Sequence, residues 1–308
     1  MRCIHCYNGS NPCAEVNEPM PVERWKRIIS ELKYYHPNTI IMIGGEPLLY
    51  NDVVPLIRHI KEVLKNTTLV LYSNLTFLHD EIIDAIKLYD VKIVTSIYAD
   101  NASIHDSITT HSGSFNKTSH NIMMLRNYGI DVRANTVIMK NNQEVIESTI
   151  EYIKKLTGKK PKIDEIRNTD EHLNSLTPVK SFRKNTIQSI QNINKPTIGT
   201  IQRSVSGNSC WQGKINISYD GYISPCIMQS PEPIEKYNLK ESSLKTVLDE
   251  HLIPNYWKLS KDKIETCQVC EFRYLCNDCR PLAASLTTRA SNCCYNPFVG
   301  KWVKDCID

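Results

Sequence analysis

The stretch Cys267 to Cys279, CQVCEFRYLCNDC, restricts what this chain can become more than any other. Four cysteines fall within thirteen residues, as two C-x2-C pairs, Cys267 with Cys270 and Cys276 with Cys279. A thiolate pair at that spacing wraps one tetrahedral metal or one corner of a cluster. Two pairs so close do not serve a single ion comfortably, so further ligands or a second centre are expected. Cys210, Cys226, Cys293, Cys294 and Cys306 flank the stretch and can supply them. The competing structure is a surface loop stapled by disulfides. Nothing marks the chain as secreted, which favours metal over disulfide.

The chain has 308 residues, enough for a sizeable core and two domains. A net charge of +4 is too small to indicate a nucleic-acid partner. No apolar run approaches the ~20 residues of a membrane span. The start, MRCIHCY, has no apolar signal region. A cytoplasmic location is therefore expected, and reduced thiols there are available to metals.

From Val22 to Arg167 helical and β-rich runs alternate. Helix is expected from Val22, after Pro21, and over Val53 to Lys65, Glu81 to Leu88, Ser114 to Tyr128 and Gln143 to Leu156. Strand is expected over Thr39 to Ile43, Thr68 to Tyr72, Val91 to Ile97, Asp131 to Met139 and Lys162 to Arg167. Such alternation builds a parallel sheet, open or barrel-like, that gathers ligand groups at the strands' carboxyl ends. Gly44, Gly45, Glu46, Ser73, Asn74 and Ser96 all fall on that rim. Paired glycines there let backbone approach a ligand, and a carboxylate beside them can receive an ammonium group. The alternation opens on a helix, with only CIHCY where a preceding strand would end.

Residues 168–208 lose this pattern and read as a bridge, partly helical around Thr186 to Ile193. Ile215, Ile217 and Tyr219 then alternate with polar residues. Asp220-Gly221 signals a hairpin that brings Cys210 and Cys226 toward one end. Ser243 to Leu259 reads as one helix.

These residues resemble the radical SAM enzymes that carry a SPASM domain, in the branch that modifies ribosomally made peptides. CIHCY is similar to the end of that family's C-x3-C-x2-C motif, IGGEPLL to its Gly-Gly-Glu-Pro element, and IHDSITTHSGSF to a segment of peptide maturases. Cys210, Gly221, Cys226, Cys267, Cys270, Cys276, Cys279 and Cys293 follow the SPASM order. The family usually has three residues between the last two cysteines of the dense stretch, whereas Asn277 and Asp278 are two. The resemblance implies an incomplete (β/α)6 partial barrel over 1–167, a bridge over 168–205 and a cysteine-rich SPASM domain with a β-hairpin over 206–308.

It also implies S-adenosylmethionine held by Tyr7, Gly44, Gly45, Glu46, Ser73, Asn74 and Ser96. A catalytic [4Fe-4S] cluster would use Cys3 and Cys6. Two auxiliary clusters would form, one on Cys267, Cys270, Cys276 and Cys293, the other on Cys210, Cys226 and Cys279. Cys294 competes with Cys293, which fits the C-x-Y-N-P spacing better. The implied reaction is hydrogen abstraction from a precursor peptide by a 5'-deoxyadenosyl radical, giving a thioether or other crosslink. A flavodoxin or ferredoxin would be the reductant. No side chain stands out as a general base.

One departure matters. The family's first cysteine lies four residues before Cys3, upstream of Met1; Cys13 has the wrong spacing to replace it. With the missing strand, this leads us to expect that Met1 is internal to a longer chain or that the protein is truncated. A barrel lacking its first strand would leave an unpaired sheet edge. The alternatives are an impaired iron–sulfur protein that binds peptides, a sulfatase-type maturase, and a zinc ribbon on an α/β domain.

Overall fold

Five parallel strands carry the N-terminal part of the chain in the order β1-β2-β3-β4-β5: Thr39–Met42, Thr68–Tyr72, Lys92–Ser96, Val132–Ile138 and Ile163–Glu165. The structure is a computed structural model. It describes residues 1–7, 18–167, 171–179, 197–229, 238–250, 252–276, 279–291, 293 and 295–302. The chain separates into two units, Met1–Ser181 and Phe182–Asp308.

The strands form where β-branched residues cluster, and helices cross between them: α2 (Val53–Val63), α3 (Asp80–Leu88), α4 (Ala102–Thr109), α5 (Ser114–Asn127) and α6 (Ile146–Thr157). α1 (Val22–Leu32) precedes β1 and α7 (Glu171–Ser175) follows β5. The helical spacing of Val53, Leu56, Ile57 and Ile60 puts them on one stripe of α2. They pack with Ile82, Ile83 and Ile86 of α3 against Leu69, Leu71, Ile93, Val132 and Ala134 of the sheet. Each large side chain buried this way contributes roughly 1.5–3 kcal/mol. The result is the expected α/β half-barrel. Among the described residues β1 pairs only with β2, and its Ile41 is 52% exposed.

Three expectations need correction. A helix the sequence reading did not mark, α4, fills the loop after β3, with the Asn101 side chain accepting from Ile104 N to cap it. The last strand of the sheet shortens to Ile163–Glu165. The single helix over Ser243 to Leu259 is two, α9 (Leu244–Asp249) and α10 (Leu252–Trp257). Pro254 lies in α10 and has no N–H to carry a longer helix through the break.

In the second unit α8 (Ile198–Ser206) occupies part of the expected bridge. The hairpin forms as β6 (Asn216–Ile217) and β7 (Ile223–Ser224), and Gly221 takes the left-handed φ of +94° that its turn requires. A second hairpin pairs β8 (Tyr295–Asn296) with β9 (Lys301–Trp302). Cys13, Thr186 to Ile193, Asn277, Asp278, Cys294 and Cys306 lie outside the described residues.

Candidate functional site

At the carboxyl ends of β1 and β2 the expected rim residues meet on one carboxylate. Glu46 caps the short turn Pro47–Leu49, and its Oε1 accepts from Leu48 N at 3.1 Å. The Ser73 hydroxyl donates to the same oxygen at 2.7 Å, and Asn74 N donates to Oε2 at 2.8 Å. Burial pushes the carboxyl above its usual range, against the lowering effect of these three donors. A carboxylate so placed can receive an ammonium group. A Cβ built on Gly44 would meet nothing within 4 Å, so the space before the turn is open.

The turn that holds Ser73 is itself over-determined. Leu75 N donates to the Ser73 Oγ at 2.9 Å, and Thr76 donates to Asn74 Oδ1 through both N and Oγ1. Leu75 is fully buried at a left-handed φ of 54°. That conformation costs a bulky residue about 1–2 kcal/mol and persists only where its surroundings enforce it. Thr118 and Asn121 of α5 enforce it by donating to the carbonyls of Asn74 and Leu75. The Asn74 amide oxygen is thus occupied within its own turn, while its backbone N–H serves Glu46.

The CIHCY loop lies beside the residues that follow β3. Ile4 N donates to Ile108 O at 3.0 Å, and His172 Nε2 lies 2.7 Å from Ile4 O. The His5 ring meets the buried Tyr98 ring edge-on at 4.6 Å between centroids. Cys6 N donates to Cys3 O, drawing the two cysteines into one turn. Burial, then the Cys6 charge, push the Cys3 thiol up to about 11. Without a cation nearby, this pocket disfavours two thiolates side by side. Burial also lowers His5 to about 4, and its Nδ1 is buried with no hydrogen-bond partner. His5 was not singled out in the sequence; its place between two cysteines was the available signal. Ser96 ends β3 with its side chain bonded to Tyr98, and Tyr7 is exposed.

The two faces of β4 differ in exposure. On β4, Val132, Ala134, Thr136 and Ile138 are buried, while Arg133, Asn135 and Val137 alternate with them in more open positions. In register, Tyr72 lies beside Val94 and then Arg133, and Ser96 beside Asn135. Tyr72 and Asn135 are partly open positions near this row, visible only once strand register is known, whereas Val94 is buried and Val137 packs against the cluster of Tyr98, Ile108 and Met139.

In the second unit Asn208 Oδ1 accepts from the N–H groups of Cys210 and Trp211, fixing the turn that carries Cys210. Met228 N approaches the Cys226 sulfur at 3.5 Å. Cys267 and Cys270 share the turn Thr266–Val269, with Cys270 N donating to Cys267 O at 3.0 Å. Burial raises the Cys270 thiol, and Cys293 is among the charges that add to it. Cys3, Cys6, Cys210, Cys226 and Cys270 carry free thiols. Among the described residues no three His, Cys, Asp or Glu side chains gather closely enough to hold an ion by themselves. Cys3 and Cys6 lie close enough to feel each other's charge, as do Cys270 and Cys293. No helix among the described residues is long and apolar enough to cross a membrane.

Residues 1–153 match the profile of the Radical SAM superfamily. The chain belongs to that superfamily. Its members use a [4Fe-4S] cluster and S-adenosylmethionine, so the rim described above belongs to a radical SAM domain. The chain is 23% identical to the AdoMet-dependent heme synthase of Methanosarcina barkeri, over 96% of this chain and 93% of that protein. The fold resembles Streptococcus suis SuiB bound to S-adenosylmethionine, with TM-score 0.70, 15% identity and coverage of 91% of this chain and 70% of SuiB. SuiB bound to the precursor peptide SuiA gives TM-score 0.70 at 15% identity, covering 94% and 71%. For anSMEcpe with bound AdoMet the TM-score is 0.67 at 15% identity, covering 93% and 88%.

Proposed function

We propose that this radical SAM enzyme is a maturase that modifies a ribosomally made peptide, forming a thioether or another crosslink. The observation that carries the reading is the convergence of Ser73, Asn74 and Leu48 donors on Glu46, on the same rim as the Cys3–Cys6 turn. Glu46 would receive the ammonium of S-adenosylmethionine. Gly44 and Gly45 would leave room for its backbone contacts, and Ser96 and Tyr7 would line the remainder of the cofactor. Cys3 and Cys6 would supply two thiolates to the catalytic cluster. Bound together, the cluster and cofactor supply a carbon radical that takes a hydrogen atom from an unactivated C–H bond. Tyr72 and Asn135, at partly open positions on β2 and β4, would orient the peptide. The likeness to peptide-bound SuiB supports a peptide as substrate. A flavodoxin or ferredoxin would deliver the electron in a cytoplasmic setting.

The second unit would be a SPASM domain. Cys267, Cys270, Cys276 and Cys293 would hold one auxiliary cluster, and Cys210, Cys226 and Cys279 the other. The proposed domain limits are 1–167, 168–205 and 206–308.

The test is anaerobic reconstitution with iron and sulfide, addition of dithionite and S-adenosylmethionine, and measurement of 5'-deoxyadenosine. Release is expected, with a mass change in cysteine-containing peptides encoded beside the gene. Iron bound without any release would leave the reading of an impaired iron–sulfur protein that binds peptides. Zinc in place of iron and labile sulfide would remove both. A second reading, a role in making haem, has the near-full-length match to the heme synthase in its favour. It requires release of 5'-deoxyadenosine on adding a tetrapyrrole and none on adding peptides.

A further inference from the structure

The C-terminal hairpin carries a feature that the proposed cluster ligands do not account for. Tyr295 of β8 is 5% exposed, and its phenol donates to Glu271 Oε1. Glu271 directly follows Cys270, and Tyr295 lies two residues after Cys293. Phe272, next in the cysteine loop, meets the Tyr295 ring at 5.0 Å and the Trp302 ring at 6.2 Å; Tyr295 and Trp302 stand 4.7 Å apart. Tyr295 and Trp302 are partners across β8 and β9, so one hairpin presents both rings to the cysteine loop. Cys293 is held from the other side as well, because its N–H donates to Ala290 O and Ala290 bridges to Ala283.

We propose that Tyr295, through its bond to Glu271 and its packing with Phe272 and Trp302, is a positioning residue that brings Cys293 to the same metal centre as Cys270. The inference rests on the reading that these two cysteines share a centre. Two ligands 23 positions apart do not stay together on the strength of a C-x2-C turn, which organises only its own pair. The three rings and the carboxylate–phenol bond close that loop before metal arrives.

The test uses the full chain reconstituted anaerobically with ferrous iron and sulfide, then treated with iodoacetamide and read residue by residue by mass spectrometry. In the unsubstituted protein Cys270 and Cys293 are expected to be protected. In Tyr295→Ala the Cys293 alkylation rate is expected to rise roughly 10- to 100-fold, the usual penalty for losing a supporting partner of a metal ligand. Cys210 and Cys226 should keep their protection. Tyr295→Phe, which keeps the ring and removes the hydroxyl, should fold normally and show a smaller rise at the same cysteine. Unchanged protection of Cys293 in both variants overturns the proposal. Equal loss of protection at all four cysteines also overturns it, because that reports general unfolding. If Cys270 and Cys293 alkylate freely in the unsubstituted protein while iron is bound, the shared-centre reading itself fails.

Discussion

Glu46 and Ser73, 27 positions apart in the chain, meet at 2.7 Å between Oε1 and Oγ. The contact ties the end of β1 to the end of β2 and leaves one carboxylate facing open space. Glu46→Gln keeps the shape and removes the charge. Loss of a charged hydrogen bond to the cofactor ammonium is expected to weaken S-adenosylmethionine binding roughly 10- to 100-fold. Binding calorimetry on reconstituted protein gives the number. Because burial holds the Glu46 acid form to higher pH than usual, affinity should rise with pH through that titration and then level. An equally tight, equally pH-dependent Glu46→Gln protein would remove Glu46 from the binding site.

Two glycines separate ligand space from packing. Gly44→Ala places a methyl where nothing lies within 4 Å, so stability should change by less than about 0.5 kcal/mol. Cofactor binding should still fall. Gly207→Ala places its methyl 2.0 Å from the backbone oxygen of Trp257. The backbone must shift there, at a cost of about 1–3 kcal/mol or more. Urea unfolding followed by tryptophan fluorescence distinguishes the two; similar midpoints would contradict the geometry.

His105 gives the first unit an acid-sensitive point. It is 1% exposed, accepts from Tyr98 N through Nδ1, and burial lowers it from 6.5 to about 4 despite the neighbouring Asp106. The unfolded chain takes up this proton first as pH falls. Stability is therefore fully present above pH 6.5 and is lost on descending toward 4, by on the order of 3 kcal/mol. Stability measured by denaturant across that range should fall less steeply in His105→Gln. Parallel curves for the two proteins would show that His105 is not the titrating group.

Asn142 joins two strand ends after the sheet. It is 1% exposed, donates from Nδ2 to Tyr98 O and Val137 O at 2.8 and 2.9 Å, and accepts from Met139 N at 2.8 Å. Asn142→Ala strands an N–H and removes a partner from two carbonyls, costing about 2–4 kcal/mol. Asn142→Asp keeps one of the three contacts and should be nearly as damaging. Thermal unfolding of the two variants checks this; a shift under a degree in either would mean that water replaces the amide.

Much of the first unit was legible before its structure. β2 runs over the expected residues, and α1, α2, α3 and α5 start within one residue of their expected positions. α4 escaped because ASIHDSIT carries only one short apolar stripe; its helix is held by the Asn101 cap and by burial of Ile108. The single helix expected over Ser243 to Leu259 failed for the opposite reason. Its apolar spacing continues across a break at Glu250, whose backbone leaves helical geometry with ψ of 2°. Tyr72 and Asn135 carry no motif, and only strand register marks them.

The amino-acid sequence alone determined the alternation of helices and strands, the rim on which Glu46, Ser73 and Ser96 fall, and the thiol-rich character of the second unit. Those follow from periodicities of a few residues, which the local backbone enforces wherever the segment lies. Tertiary structure decided the pairings: Glu46 with Ser73, His5 on Tyr98, and Tyr295 with Glu271. Such contacts join points tens of residues apart. They depend on strand register, turn handedness and ring packing, quantities that no short window of sequence encodes.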